Sequence, residues 1–438
     1  MGTAAGLFYY CCAFYGSMKT ILQIFIFTLP IFWGGMIQFL IMNYFMKYAT
    51  DILWIPPAVI SFWFFLSRFT DALNDPFMGM GADSFGAKTW ILIFLPITAY
   101  SFYAIWLPAM SKSLWVGFHL VLLLSALSGV FVPHYSLSAH WQADTKKSPD
   151  ENRHKVFGFR SVMENLGVLA GAVFIMKLTT LKQETSTLVS FVRITALGML
   201  ITFILFWIFF PSLPMKKKEN LSWKQLLFHL WLKPWQNKQP RYILLTGIGT
   251  QAAATFLLTS ALYYAEYVLQ NKAAGGMFSG LFIISATISI PVWIFLLKKK
   301  RKSFFWKISL GIMGFLFFSL FFLPPLPTSL FYGVAFFIGS LAGLILFTHP
   351  VLLAEAVEEA HPKEEKGIFY SMFTMINKGS MAFAAWIVGL LLQLSGYQPN
   401  AIQTDRALFA MKVLFFLLPA IAFFFAYLMI TLRFKENR

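Results

Sequence analysis

The sequence predicts an all-α membrane protein of twelve transmembrane helices in two six-helix halves. Three observations predict it. Of 438 residues, 58% are hydrophobic and only 12% charged, with 51 Phe and a mean hydropathy of +0.68; a soluble domain carries about 25% charged residues. Apolar runs of the length that crosses a bilayer, about 20 residues each, recur along the whole chain. A long basic stretch then divides those runs six and six. Together these exclude a soluble globular protein and point to lipid as the solvent.

In chain order the runs fall near 20–46, 54–78, 89–110, 113–138, 158–180 and 188–210, and then near 241–269, 274–297, 303–323, 327–354, 366–396 and 407–432. The net charge of +17 comes from 35 Lys and Arg against 18 Asp and Glu. With both termini on one side of the membrane, about 27 of the 35 cationic residues fall on that side, which places the termini in the cytoplasm. The excess is thus explained by topology, and no nucleic-acid partner is expected. Residues 211–240 read as the cytoplasmic linker, with Lys216, Lys217, Lys218, Lys224, Lys233 and Lys238; its segment 221–232 is either a helix lying on the membrane surface or a solvated strand of linker. The domain reading is an N-terminal extension 1–17, a first half 18–210, the linker 211–240 and a second half 241–438, with Met18 as an alternative start. The run Lys298, Lys299, Lys300, Arg301, Lys302 reads as a topology anchor after the eighth span. Cys11 and Cys12 are neighbours, which rules out an ordinary disulfide between them.

The halves echo one another. VPHYSLSAH ends the fourth span ahead of Asn165, and THPVLLAEA ends the tenth ahead of Asn377, about 212 residues later. Paired six-helix halves around a cavity at mid-depth are a transporter architecture.

A charged side chain at the bilayer centre costs at least about 2.5–3.5 kcal/mol, so each one inside a span is a functional candidate. The second span carries Arg68, Thr70, Asp71, Asn74 and Asp75. Asp71 and Asp75 stand one helical turn apart on one face, and with Asn74 they offer oxygen ligands to a small cation or a shared site for a proton. The competing reading pairs Asp71 with Arg68 and leaves Asp75 as a cap. On the fifth span, Arg160 and Glu164 at i, i+4 either form an intrahelical pair or turn Arg160 toward a substrate. Lys378 lies about eleven residues into the eleventh span, too deep to reach the interface, and its partners are sought among Asp71, Asp75 and Glu164. Glu266, at the outer end of the seventh span, is a gate or a solvated terminus. Pro133-His134 and His349-Pro350 read as structural kinks. Phosphate-binding loops and hydrolase motifs are absent from the sequence, so neither an enzyme nor a cofactor is expected.

Three stretches carry a family resemblance: SRFTDALNDPFMGMGAD; VPHYSLSAHWQAD with FGFRSVMENLGVLAG; and KGIFYSMFTMINKGSMAFAAWIVGLLLQLSGYQPN. They resemble the glycoside-pentoside-hexuronide cation symporters of the major facilitator superfamily, from about Met18 onward. The resemblance implies the major facilitator fold, a cation site at Asp71, Asn74, Asp75 and Ser128, and substrate contacts from Arg160, Tyr135, Thr374 and Lys378, with Glu164, Asn165 and Asn377 in support. A sodium at Asp71 and Asp75 would be the only metal. The chain also departs from the family. The positions of its sugar-gripping carboxylates are Gly35 and Phe131 here, expected to line the cavity, and the loop after Asp83 is shortened to SFGAK without the family's arginines.

The resulting expectation is a monomeric, multi-pass cell-membrane symporter, coupled to sodium or a proton, that moves a small solute by alternating access. A sugar, glycoside or sugar acid is the family's substrate class. A carrier of lysolipids or other amphiphiles is the alternative.

Overall fold

The computed structural model describes the chain except residues 1, 108–111, 142–148, 181–183, 211–234, 236–237, 298–300, 361–366 and 434–438. Most of the basic linker and Lys298, Lys299 and Lys300 therefore lie outside the described residues. Among the described residues, twelve long helical elements follow one another. They are α1 (Gly2–Leu40, continued by a π-helical turn Ile41–Phe45 and by Met46–Asp51), α2 (Pro57–Phe85), α3 (Ala87–Trp106), α4 (Lys112–His140), α5 (Pro149–Thr180) and α6 (Glu184–Phe209). The second half comprises α7 (Lys238–Tyr263, continued by a π-helical turn Tyr264–Val268), α8 (Lys272–Leu297), α9 (Lys302–Phe322), α10 (Thr328–Ala360), α11 (Gly367–Leu394) and α12 (Asp405–Lys412, a π-helical turn Val413–Leu417, and Leu418–Arg433).

Eleven of these are long and apolar enough to cross a membrane; the other, α2, has the length but carries Arg68, Asp71 and Asp75 in its middle. Several helices outrun the apolar segments that predicted them: α1 ends at Asp51, α2 reaches Phe85 and α5 begins at Pro149. A helix satisfies its own backbone, so it continues through the headgroup layer until something stops it. Pro57 opens α2 at a position that needs no N–H, and Gly86, at φ 93°, closes it.

Without a hydrophobic force between helices in lipid, close packing of small residues holds the bundle. Within the first half, Gly167 of α5 lies so near α1 that a Cβ there would come within 2.0 Å of the Phe32 carbonyl oxygen. Gly339 and Gly343 bring α10 onto α8 in the same way, against the Phe282 and Ala286 carbonyls. The halves meet along two seams. Gly276 and Gly280 of α8 face Thr179, Ile175 and Met176 of α5, and Gly389 of α11 sits against Pro57 and Ser61 of α2.

The repeat seen in the sequence has a structural counterpart. His134 of α4 holds the Phe27 carbonyl of α1 through Nε2 at 2.8 Å, and His349 of α10 holds the Ile243 carbonyl of α7 at 3.1 Å. Phe27 also stacks on His134, and Trp306 and Phe373 flank His349. Both histidines are buried pins between helices, in line with their structural reading.

Overpacking a close contact costs about 1–3 kcal/mol. Gly167→Leu, forced against backbone, is expected to lower the unfolding temperature in detergent by several degrees. Gly333→Leu, where a Cβ would meet nothing within 4 Å, is the control expected to leave it unchanged.

Candidate functional site

The charged face of α2 looks across the molecule at α11. Lys378 of α11 places its ammonium 3.1 Å from Asp71 Oδ1, 2.7 Å from Asp75 Oδ1, 2.8 Å from Asp75 Oδ2 and 2.9 Å from Ser128 Oγ of α4. Ser128 in turn donates to Asp71 Oδ1. Arg68 Nη1 reaches Asp71 Oδ2 at 3.3 Å, so the intrahelical pair exists alongside the interhelical one. Two cations and two carboxylates balance, and all of Arg68, Asp71 and Ser128 are buried. Asn74 lies beside the cluster and donates from Nδ2 to Ser125 Oγ at 2.9 Å, an anchor on α4 that sequence reading missed. A Ser three residues before Ser128 on the same helix was its signal.

Geometry explains why these groups converge. Asp71 and Asp75 share a face because they are four residues apart, and Gly389 lets α11 approach α2 closely enough for a lysine to bridge. A buried ion pair is worth having only when its remaining lone pairs are also satisfied. Ser128 and the bidentate contact with Asp75 do that for Lys378, whereas Arg68 Nε and Nη2 have no hydrogen-bond partner among the described residues.

A second polar group lies on α5. Arg160 Nη1 donates to Glu164 Oε2 at 3.0 Å, and the guanidinium lies over the Tyr135 ring at 3.4 Å and the Phe131 ring at 5.8 Å. Arg160 is 2% exposed, yet its Nε and Nη2 have no hydrogen-bond partner among the described residues. The Glu164 side chain is 32% exposed. Hence the intrahelical pair is formed, and the arginine is also held flat against the aromatic residues of α4.

Asn165 and Asn377 turn away from these groups. Asn165 is exposed and donates back to the Ser161 carbonyl of its own helix. Asn377 turns toward Gly247 and His349, not toward the partners of its neighbour Lys378. Successive helical residues are about 100° apart, which separates the two. Thr374 is exposed one turn before Lys378. The expectation that Gly35 lines a cavity is corrected: a Cβ there would lie 2.5 Å from the Glu164 carbonyl oxygen, so α1 and α5 close over the position. Phe131 likewise packs on Gly34, whose Cβ would come within 2.6 Å of its ring.

Glu266, singled out in the sequence, meets Lys47 and Asp51 in a polar cluster at the ends of α1 and α7, two partners that sequence reading missed. The spacing of Lys47 and Asp51, four residues apart at the end of a span, was its signal.

Removing one partner of a buried pair costs about 3–5 kcal/mol, because the other charge is left uncompensated. Lys378→Met is therefore expected to lower the unfolding temperature clearly. Adding Asp75→Asn should restore part of the loss, as read by thermal unfolding of the purified variants. A Lys378→Met protein as stable as its parent would show that the bridge is dispensable.

Comparison with known proteins agrees with this architecture. The family described as MFS/sugar transport protein matches residues 26–438. The chain is 23% identical over 410 residues to the inner membrane symporter YicJ of Escherichia coli (strain K12), covering 87% of this chain and 85% of that protein. It is 22% identical over 410 residues to the isoprimeverose transporter of Lactiplantibacillus pentosus, covering 88% and 82%. In fold it is similar to a crystallised variant of the nucleoside transporter NupG, with a TM-score of 0.70 at 16% identity over 95% of this chain and 100% of that one. With twelve helices in two halves and a family match over most of its length, the chain belongs to the MFS/sugar transport protein family and is a multi-pass membrane transporter of the major facilitator fold.

Proposed function

We propose that the protein is a cation-coupled symporter, driven by sodium or a proton, that carries a sugar, glycoside or sugar acid across the cell membrane, with both termini cytoplasmic. One observation carries this reading: a lysine from one half occupies a nest of carboxylate and hydroxyl oxygens supplied by the other. Such a nest suits any small cation, and the ammonium is the cation present when none other is bound. A sodium ion or a proton arriving at Asp71 and Asp75 competes with Lys378 for them. As the carboxylates lose their negative charge to the newcomer, the tie between α2 and α11 slackens and the lysine is free to face the solute.

Support for the substrate class comes from two directions. Relatives named as a symporter and as an isoprimeverose transporter share most of the chain. On α5, the two unpartnered nitrogens of Arg160, Nε and Nη2, and the carboxylate of Glu164 supply donors and an acceptor side by side. An aromatic floor at Tyr135 suits the apolar face of a sugar ring.

Reconstituted protein with a sodium or proton gradient tests the coupling, using isoprimeverose and a glucuronide as solutes. Asp71→Asn and Asp75→Asn should each lower accumulation at least about tenfold, since each removes a charged ligand worth more than 1.4 kcal/mol, while downhill exchange persists. Variants that still concentrate solute with the parent's cation dependence would show that the coupling ion binds elsewhere.

A further inference from the structure

Arg193 of α6 belongs to neither polar cluster. It stands nine residues past Glu184, where α6 begins on the side of the bundle away from the chain termini. The residue is exposed, and among the described residues no hydrogen bond, ion pair or ring contact reaches it. Its direction follows from the helical period. Val192, Thr195, Met199, Thr202 and Phe206 are buried and form the face of α6 that meets the bundle. Arg193 projects from the opposite face, in one row with the exposed Ile194, Leu197, Ile201 and Ile204. Among the described spans α6 is also the least enclosed by protein, 28% of its apolar stretch being buried. The guanidinium therefore leaves the protein toward the bilayer.

Its depth is fixed from both ends. On the terminus side, Lys88 of α3 donates to the carbonyls of Trp207 and Phe210 at the end of α6, which sets the headgroup level there. From Trp207 to Arg193 the helix rises about 21 Å, against about 30 Å of hydrocarbon, so Arg193 leaves the backbone about 9 Å short of the far boundary. On the far side, Phe174 of α5 and Phe191 of α6 stack with ring centroids 3.5 Å apart, which sets these antiparallel helices in register. The exposed Lys177 lies three residues beyond Phe174 toward the far surface, and Arg193 two residues beyond Phe191 away from it. Arg193 is thus about 7–8 Å deeper than Lys177.

We infer that α6 carries a binding site for an anionic phospholipid of the far leaflet, whose phosphate Arg193 holds. A guanidinium cannot shed its proton, and with no carboxylate of the described residues beside it the balancing anion comes from the surroundings. A phosphodiester is the anion that a bilayer offers, and its two free oxygens match the arginine fork. Ser186 and Ser190, exposed on the same face, extend a polar track from Arg193 to the helix end, Ser190 donating to the Ser186 carbonyl at 3.0 Å. A headgroup can descend along that track. The apolar row that remains is shorter than the hydrocarbon is thick, and the bilayer meets such a mismatch by thinning locally. A zwitterionic headgroup would set its own ammonium near Arg193, whereas phosphatidylglycerol brings only the negative charge.

This inference does not depend on the identity of the coupling ion or solute. In the full chain with Cys11→Ser and Cys12→Ser, Leu197→Cys carries a spin label one turn deeper than Arg193, in vesicles of phosphatidylglycerol and phosphatidylcholine. Power saturation with oxygen and a water-soluble nickel chelate reads the depth of the label. R193L should raise the ratio of oxygen to nickel accessibility several-fold as headgroup and water withdraw, and K177Q, nearer the surface, should leave it unchanged. Native mass spectrometry during titration with phosphatidylglycerol reads the site itself. R193Q should raise the lipid concentration for half-occupancy about tenfold, the effect of losing one charged hydrogen bond, and R193K should fall between R193Q and the parent. Arg193 touches no other described residue, so these variants lose no internal contact and keep the fold. A label depth that R193L leaves at the parent's value would overturn the site, as would equal retention of phosphatidylglycerol by R193Q and the parent. A parent that holds phosphatidylcholine as tightly as phosphatidylglycerol would overturn the choice of an anionic lipid.

Discussion

A charge placed in hydrocarbon must find a partner, and the whole midplane of this protein is arranged around that requirement. Lys378 and the two aspartates of α2 are largely withdrawn from solvent, and they meet across the two halves of the molecule. The rest of the local structure serves this need. Gly389 permits the close approach of α2 and α11, Ser128 fills the remaining coordination of the lysine, and Arg68 balances the second carboxylate. The four charges sum to zero and are shared between the two halves, which lets them lie together in an apolar bundle.

Two kinds of contact hold the halves together, and they differ in how readily they part. Along α5–α8 and α2–α11, small residues allow backbones to touch, and the attraction is dispersion spread over many atoms. Between α2 and α11, and at the ends of α1 and α7, the ties are a few directional charged contacts. Directional contacts weaken abruptly with distance, while packed surfaces can pivot and stay in touch.

The α1–α5 contact is one that glycine permits. A Cβ at Gly35 would lie against the Glu164 carbonyl oxygen of α5, and Phe131 of α4 packs on Gly34 beside it. On α5, Arg160 pairs with Glu164 and lies over the Tyr135 ring of α4. The pair carries no net charge, which lets the Arg160 guanidinium stay buried.

Much of this was legible in one dimension. Composition and run length determined a bundle of lipid-embedded helices, because the solvent decides which residues can be exposed and the bilayer decides how many in a row. Spacing determined that Asp71 faces Asp75 and that Arg160 faces Glu164, since both follow from the helical period alone. The family motifs brought Ser128 into the set. Only the tertiary structure decided which helices meet. No local rule joins Lys378 to residues some 300 positions away, nor Lys47 to Glu266, and none says that Asn377 turns to His349 while its neighbour turns to Asp75. Such contacts depend on where two helices cross and how far each has rotated. That is settled by the packing of glycines and large side chains over the whole interface, which no single segment contains.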